Sequence, residues 1–192
     1  NFYAERVEEV ALECKKRDVV VINHAVDIST SKEVLATFEK FSWIKPAVGV
    51  SPYDAVKNPA QAEELANLAR ENKDKIVAIG EVGLDLHHFK KGPDFDRQTK
   101  VFTQMLELAS ELKKPVVIHS RKAENEVLDM LKSFDCTKVM HCFLVEKLLE
   151  KALDANCFIS VPTLKSRDRV RIMEKAPFER LVFETDSPYL WQ

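Results

Sequence analysis

The sequence predicts an α/β chain of parallel strands, closed as a TIM-like (β/α)8 barrel and represented by about seven of its strands. Three observations lead there. Short apolar runs alternate with amphipathic stretches from one end to the other. Most of these runs are continuous and β-branched, the pattern of parallel strands covered on both faces. The chain also opens on a helical pattern, so the strand that would complete a barrel is expected upstream of Asn1. A doubly wound open sheet of seven strands is the alternative.

Taken in order, the helical pattern Ala4–Lys16 precedes VVVIN (19–23), the first strand. Lys32–Phe41 leads to IKPAVGV (44–50), Pro59–Glu71 to IVAIGE (76–81), and Phe95–Leu112 to PVVIHS (115–120). Ala123–Phe134 leads to KVMHCF (138–143), Glu146–Asp154 to CFISV (157–161), and Ser166–Lys175 to LVFETD (181–186). No linker, low-complexity segment or composition shift interrupts this rhythm. Residues 1–192 therefore read as one domain, with its first strand and C-terminal helices expected outside the sequence.

Composition narrows the function classes. The 192 residues are 45% hydrophobic and 31% charged, which suits a soluble domain with a sizeable core. A net charge of −2 excludes an overall basic, nucleic-acid-coating surface but permits a local basic patch. Cys14, Cys136, Cys142 and Cys157 form no CxxC pair and read as reduced thiols of a cytoplasmic protein. No apolar run approaches the roughly 18 residues of a membrane span.

The chemistry lies at the strand ends. In IVAIGEVGLDLHH (76–88) a buried-type run stops at Gly80 and a carboxylate follows at once. Such a charge is costly unless it is paired, hydrogen-bonded or bound to a metal. Two of the four glycines, Gly80 and Gly83, bracket Glu81, so the backbone there needs unusual freedom. His119, His141 and Asp186 end three further strands. Taken singly, each has a plainer role as cap, hydrogen-bond partner or turn former. Together they put four metal-capable groups at the edge where α/β folds build their sites. Two imidazoles and two carboxylates suit one or two divalent ions: Mg²⁺, Mn²⁺ or Zn²⁺. Asp186 is placed to accept a proton from water.

Basic residues near the same edge point to phosphate. Arg121 and Lys122 follow His119 directly. Lys165, Arg167, Arg169 and Arg171 follow the strand at 157–161, the last two reading more as a solvated helix face. His87 and His88 line the pocket or the loop beside it, and Tyr53 is a candidate to stack on a base. Cys142 is assigned to core packing, because strand neighbours point to opposite faces. No glycine-rich phosphate loop is present.

GEVGLD (80–85), VVIHSRKA (116–123), VMHCF (139–143) and ETDSPYL (184–190) occur in the order and spacing of the TatD-family metal-dependent deoxyribonucleases. The sequence resembles that family over nearly its whole length. The resemblance implies an amidohydrolase-like (β/α)8 barrel that hydrolyses phosphodiesters of DNA with one or two divalent ions, often from the 3′ end. By position it makes Glu81 a bridging ligand, His119 and His141 ligands, Asp186 ligand and general base, and Arg121 a contact to the substrate phosphate. The family's opening His-x-His strand has no counterpart here. Its usual His-Pro-His reads Ser51-Pro52-Tyr53, and Leu144-Val145-Glu146 replaces the glycine that usually follows HCF. The chain ends at Gln192, where the family continues into helices. A metal-dependent DNase or 3′-exonuclease is the leading expectation. The alternatives are hydrolysis of a small phosphoester or amide, and a non-catalytic barrel with vestigial ligands.

Overall fold

The computed structural model describes residues 6–187. Its elements run α1 (Val7–Lys16), β1 (Val21–His24), α2 (Ile28–Lys40), β2 (Ile44–Val48), α3 (Pro52–Lys57), α4 (Gln61–Glu71), β3 (Ala78–Gly83) and α5 (Pro93–Leu112). They continue with β4 (Val116–His119), α6 (Glu124–Leu131), β5 (Lys138–Met140), α7 (Leu149–Asp154), β6 (Cys157–Val161), α8 (Arg167–Lys175) and β7 (Leu181–Phe183). Residues 4 and 5 of the first expected helix lie outside the described residues.

All seven expected strands are present, paired parallel in the order β1-β2-β3-β4-β5-β6-β7. A doubly wound sheet reverses its strand order at a switch point, and this order never reverses. The strands therefore form the curved wall of a (β/α) barrel, with β1 and β7 as its edges among the described residues. Val20, Ile22 and Phe183 are exposed at those edges.

Helix starts follow local chemistry. The Asp27 side chain accepts from Thr30 N, and the Thr30 hydroxyl satisfies Asp27 N in return, so α2 begins four residues before the expected Lys32. Ser51 caps α3, which has proline at its first position. That short helix fills the stretch between the expected strand at 44–50 and the expected helix Pro59–Glu71.

Register divides the wall into two faces. Ile79, Val116, Ile118, Met140 and Ile159 point outward and are fully buried under the helices against Leu65, Phe102, Met105, Leu106, Leu128 and Leu131. Burying each such side chain contributes about 1.5–3 kcal/mol. The alternate residues, among them Ala47, Ala78, Val117, Val139, Phe158, Ser160 and Val182, face the lumen.

Strict alternation from Ile79 would send Glu81 outward under the helices. It does not, because β3 is bulged. Ile79 pairs with Val116 but Val82 with Ile118, so three steps on β3 match two on β4. A bulge of this kind re-aims a side chain, here Glu81 into the lumen. Glycine permits the crowding: a Cβ on Gly49 would lie 2.6 Å from Gly80 C, and one on Gly83, at φ +142°, 2.0 Å from His119 O.

Candidate metal centre

The strand ends bring Glu81, His119, His141 and Asp186 together at the C-terminal mouth of the lumen. His119 Nδ1 lies 2.8 Å from Glu81 Oε1. His141 Nε2 stands 3.9 Å from the same oxygen and 3.7 Å from Asp186 Oδ1. Glu81 lies within β3 and His119 ends β4, while His141 directly follows β5. Asp186 is three residues beyond β7, at φ +48°.

The far nitrogens of both imidazoles are held by two carboxylates that the sequence reading passed over. His119 Nε2 meets Asp85 Oδ2 at 3.0 Å, and His141 Nδ1 meets Glu184 Oε2 at 2.9 Å. Asp85 is wholly buried. Its Oδ1 accepts from His87 N and His88 N at 2.8 Å, its Oδ2 meets His88 Nδ1 at 3.0 Å, and Gln98 Oε1 on α5 accepts from its backbone N at 2.7 Å. Glu184 Oε2 also accepts from Cys142 N and the Ser160 hydroxyl. Imidazoles with one nitrogen tied to a carboxylate and the other aimed at a shared carboxylate have the orientation of metal-bound histidines.

The electrostatics describe the ion-free state. Burial alone would lower the pKa of His119, but hydrogen bonds to Asp85 and Glu81 raise it to about 9. Burial is likewise overcome at His141 by Glu184, with help from Glu81 and Asp186, again reaching about 9. Burial pushes Glu81 up, yet the His119 hydrogen bond and the His141, His119 and His24 charges hold it down at about 2. Glu184 is lowered, because its bonds to His141 and Ser160 and the His141 charge outweigh burial. Asp186 moves the other way, raised by burial and by Glu81 and Glu184 against the pull of His141.

A divalent ion fits this donor set. Two donors bound to one ion at about 2.0–2.2 Å stand roughly 3–4 Å apart, as His141 does from Glu81 and Asp186. Glu184 Oε1 and His24 Nε2 are buried without a partner among the described residues. Among those residues no three donors enclose an ion as they stand, since the His119–Glu81 bond closes the space between the two groups.

The ion-free cluster has a testable pH signature. Histidines raised to about 9 contribute stability that is fully present below their ordinary 6.5 and lost as pH rises through 9. Glu81, lowered to about 2, contributes above 4.5 and loses its contribution as pH falls through 2. With chelator present, urea denaturation is expected to show greatest stability between these windows, near pH 5–6. A decline on the order of a few kcal/mol toward pH 9 should follow, the His119–Glu81 interaction being counted once. A flat profile from pH 6.5 to 9 would remove the imidazolium pairs from the account.

The rim carries the remaining candidates. Arg121 is exposed, takes Leu86 N on its carbonyl at 3.0 Å, and acts electrostatically on both Tyr53 and Cys142. Tyr53 packs at 5.0 Å against both His88 and Phe89. Arg169 Nη1 closes the loop after β6 by donating to Thr163 O at 3.0 Å. Cys142 is not in the core. β5 ends at Met140, so strand alternation does not reach Cys142, which sits half-buried beside the carboxylates at φ +46°. Burial and the Glu184, Asp186 and Glu81 charges push its thiol up to about 12, which excludes a thiolate at neutral pH. Among the described residues no helix is long and apolar enough to cross a membrane.

Comparison with known proteins agrees with this fold. The sequence model of the family described as "TatD related DNase" matches residues 1–192. MJ1582 of Methanocaldococcus jannaschii, described as an uncharacterized metal-dependent hydrolase, is 32% identical over 187 residues, covering 95% of this chain and 72% of its own length. The 3′-5′ ssDNA/RNA exonuclease TatD of Klebsiella pneumoniae is 33% identical over 174 residues, covering 85% of this chain and 65% of its own. The crystal structure of YjjV, a TatD homologue from Escherichia coli K12, superposes with a TM-score of 0.84 at 30% identity, over 95% of this chain and 74% of that one. With the barrel topology and these matches in agreement, the chain belongs to the TatD-related DNase family of metal-dependent hydrolases.

Proposed function

We propose that the protein hydrolyses phosphodiester bonds of DNA in a divalent-metal-dependent reaction, as a 3′-exonuclease. The observation that carries this reading is the convergence of His119 Nδ1 and His141 Nε2 on Glu81, with Asp186 facing His141 Nε2 and with Asp85 and Glu184 fixing both rings from behind. The nuclease assignment draws on the relative from Klebsiella pneumoniae, whose name describes a 3′-5′ exonuclease of single-stranded DNA and RNA.

On this reading Glu81, His119, His141 and Asp186 hold one or two ions: Mg²⁺, Mn²⁺ or Zn²⁺. When bound, such an ion supplies Lewis-acid polarisation of a phosphoryl oxygen and acidifies water. Asp186 accepts the proton of the attacking water at its carboxylate, since burial and like charges make it more basic than an ordinary aspartate. Attack forms a new P–O bond at the phosphorus, the bond to the 3′ oxygen of the preceding nucleotide breaks, and that oxygen takes a proton from solvent and leaves as an alcohol. Arg121 holds a phosphate at the rim, and Tyr53 stacks on a base.

Arg121→Ala is expected to raise KM for an oligonucleotide with little change in kcat. The slope of log(kcat/KM) against log[salt] should become shallower by about 0.7–0.9, the contribution of one phosphate contact. An unchanged salt slope would place Arg121 outside the substrate path.

A second reading, hydrolysis of a small phosphoester or amide, is favoured by Ser51-Pro52-Tyr53. Ser51 there is occupied as the cap of α3, with its hydroxyl 2.7 Å from Asp54 Oδ2, and offers the pocket no imidazole. One panel separates the two: a 3′-labelled single-stranded oligonucleotide and small phosphomonoesters, diesters and amides, each with Mg²⁺, Mn²⁺, Zn²⁺ or chelator. Metal-dependent release of mononucleotides from the 3′ end supports the nuclease. Turnover of small substrates alone would replace it.

A further inference from the structure

We propose that His24 is a third imidazole ligand of this centre, bound through Nε2, and that it biases the site toward Zn²⁺ over Mg²⁺. The inference rests on the reading of the strand-end cluster as a metal centre and adds a residue to it from β1, two strands away from Glu81.

Register supplies the first argument. His24 pairs with Ala47, and Ala47 with Ala78, on the lumen face of β1, β2 and β3. His119 and His141 extend the same face on β4 and β5, two residues beyond Val117 and Val139. His24 therefore points into the lumen. Space supplies the second. The lumen positions of β2 and β3 between His24 and Glu81 are Ala47, Gly49, Ala78 and Gly80, so these two strands put nothing larger than a methyl group in the way. The backbone ties the two sides directly, since Glu81 N donates to Ala25 O at 2.9 Å.

The third argument is the nitrogen itself. His24 Nε2 is shut off from solvent and has no hydrogen-bond partner among the described residues. A buried polar atom in that position is unfavourable unless something engages it. The groups that act on it electrostatically are Glu81, His141 and Glu184, and Glu184 itself has an unpartnered buried atom, Oε1. A cation satisfies a neutral imidazole lone pair and a carboxylate oxygen together. A water donating both its protons would do so too, but only the cation also balances the Glu81 and Glu184 charges around His24. Imidazole also decides which cation. Carboxylate and water donors suit Mg²⁺, whereas each added imidazole favours Zn²⁺ and its neighbours in the transition series.

The test is competitive metal titration of the full-length protein and its His24→Gln variant against a chromophoric chelator, with Zn²⁺ and Mg²⁺ measured separately. Loss of His24 is expected to raise the Zn²⁺ dissociation constant by about 10–100-fold or more while leaving that for Mg²⁺ nearly unchanged. The visible spectrum of the Co²⁺-loaded variant should change along with it. An unchanged ratio of Zn²⁺ to Mg²⁺ affinity overturns the inference while leaving the metal centre intact. Failure of the unmutated protein to take up Zn²⁺ overturns both. Because a variant can lose affinity by folding poorly, a crystal structure of the Zn²⁺-loaded unmutated protein is the second reading. His24 Nε2 is expected at about 2.0–2.1 Å from an ion, and any distance longer than a coordination bond overturns the proposal.

Discussion

Asp186→Asn is expected to reduce kcat by about 10²–10⁴-fold, the range for loss of a positioned acid–base group. The fold and most of the ion affinity should survive. The substitution is mild for the backbone. Asp186 sits at φ +48°, a left-handed conformation that asparagine adopts as readily as aspartate. It is also mild for the centre, because an amide oxygen remains in reach of an ion. What disappears is the ability to take a proton. Asp186 is the one carboxylate of the cluster whose pKa is raised, by burial and by Glu81 and Glu184, whereas Glu81 and Glu184 are lowered. Single-turnover kinetics of the variant, alongside its melting temperature and ion affinity, checks the assignment. A rate within a few-fold of the unmutated protein would remove Asp186 as base.

Glu81→Ala is expected to have the largest effect on binding and stability together. Glu81 is the oxygen donor that both imidazoles face, at 2.8 Å for His119 and 3.9 Å for His141. Its removal strips the site of its shared ligand, so ion affinity measured by calorimetry should fall by 100-fold or more. In the ion-free protein at pH 7 it leaves two buried imidazolium groups short of a counter-charge. Breaking a buried pair from one side costs about 3–5 kcal/mol. Glu81→Gln separates charge from packing, since it keeps an acceptor for His119 without the charge, and should lose less stability. The sign with pH is fixed: the imidazoles become neutral above about 9, so the deficit of either variant in urea denaturation should shrink there. A deficit that grows with pH would contradict the pairing.

The fold was legible because apolar runs and amphipathic stretches alternate without interruption, and each run became a parallel strand. Details set by a few side chains were less so. The start of α2 depends on Asp27 and Thr30 satisfying each other, and α3 on Ser51 followed by Pro52, signals that the apolar pattern does not contain. Within the site, a residue type able to bind metal directly after an apolar run singled out Glu81, His119 and His141. The same pattern stands at VVVINH, where the expected strand was cut at Asn23, one residue short of His24. Asp85 and Glu184 were missed for another reason. Their role is to hold imidazoles that come from other strands, and only the barrel brings Asp85 to His119 and Glu184 to His141. The orientation of Glu81 was hidden too, because it depends on a bulge that no alternation rule reveals.

The most direct test of the central claim, that this cluster is a divalent-ion centre, is calorimetric titration of chelator-treated full-length protein with Zn²⁺ or Mn²⁺ at pH 7. Buffers of different ionisation enthalpy would count the protons exchanged. His119 and His141, raised to about 9, are both protonated at that pH and must each give up the proton facing the ion. The account predicts saturable binding with release of about two protons per chain, lost in Glu81→Ala. Absence of saturable binding, or binding that Glu81→Ala leaves unchanged, would contradict it.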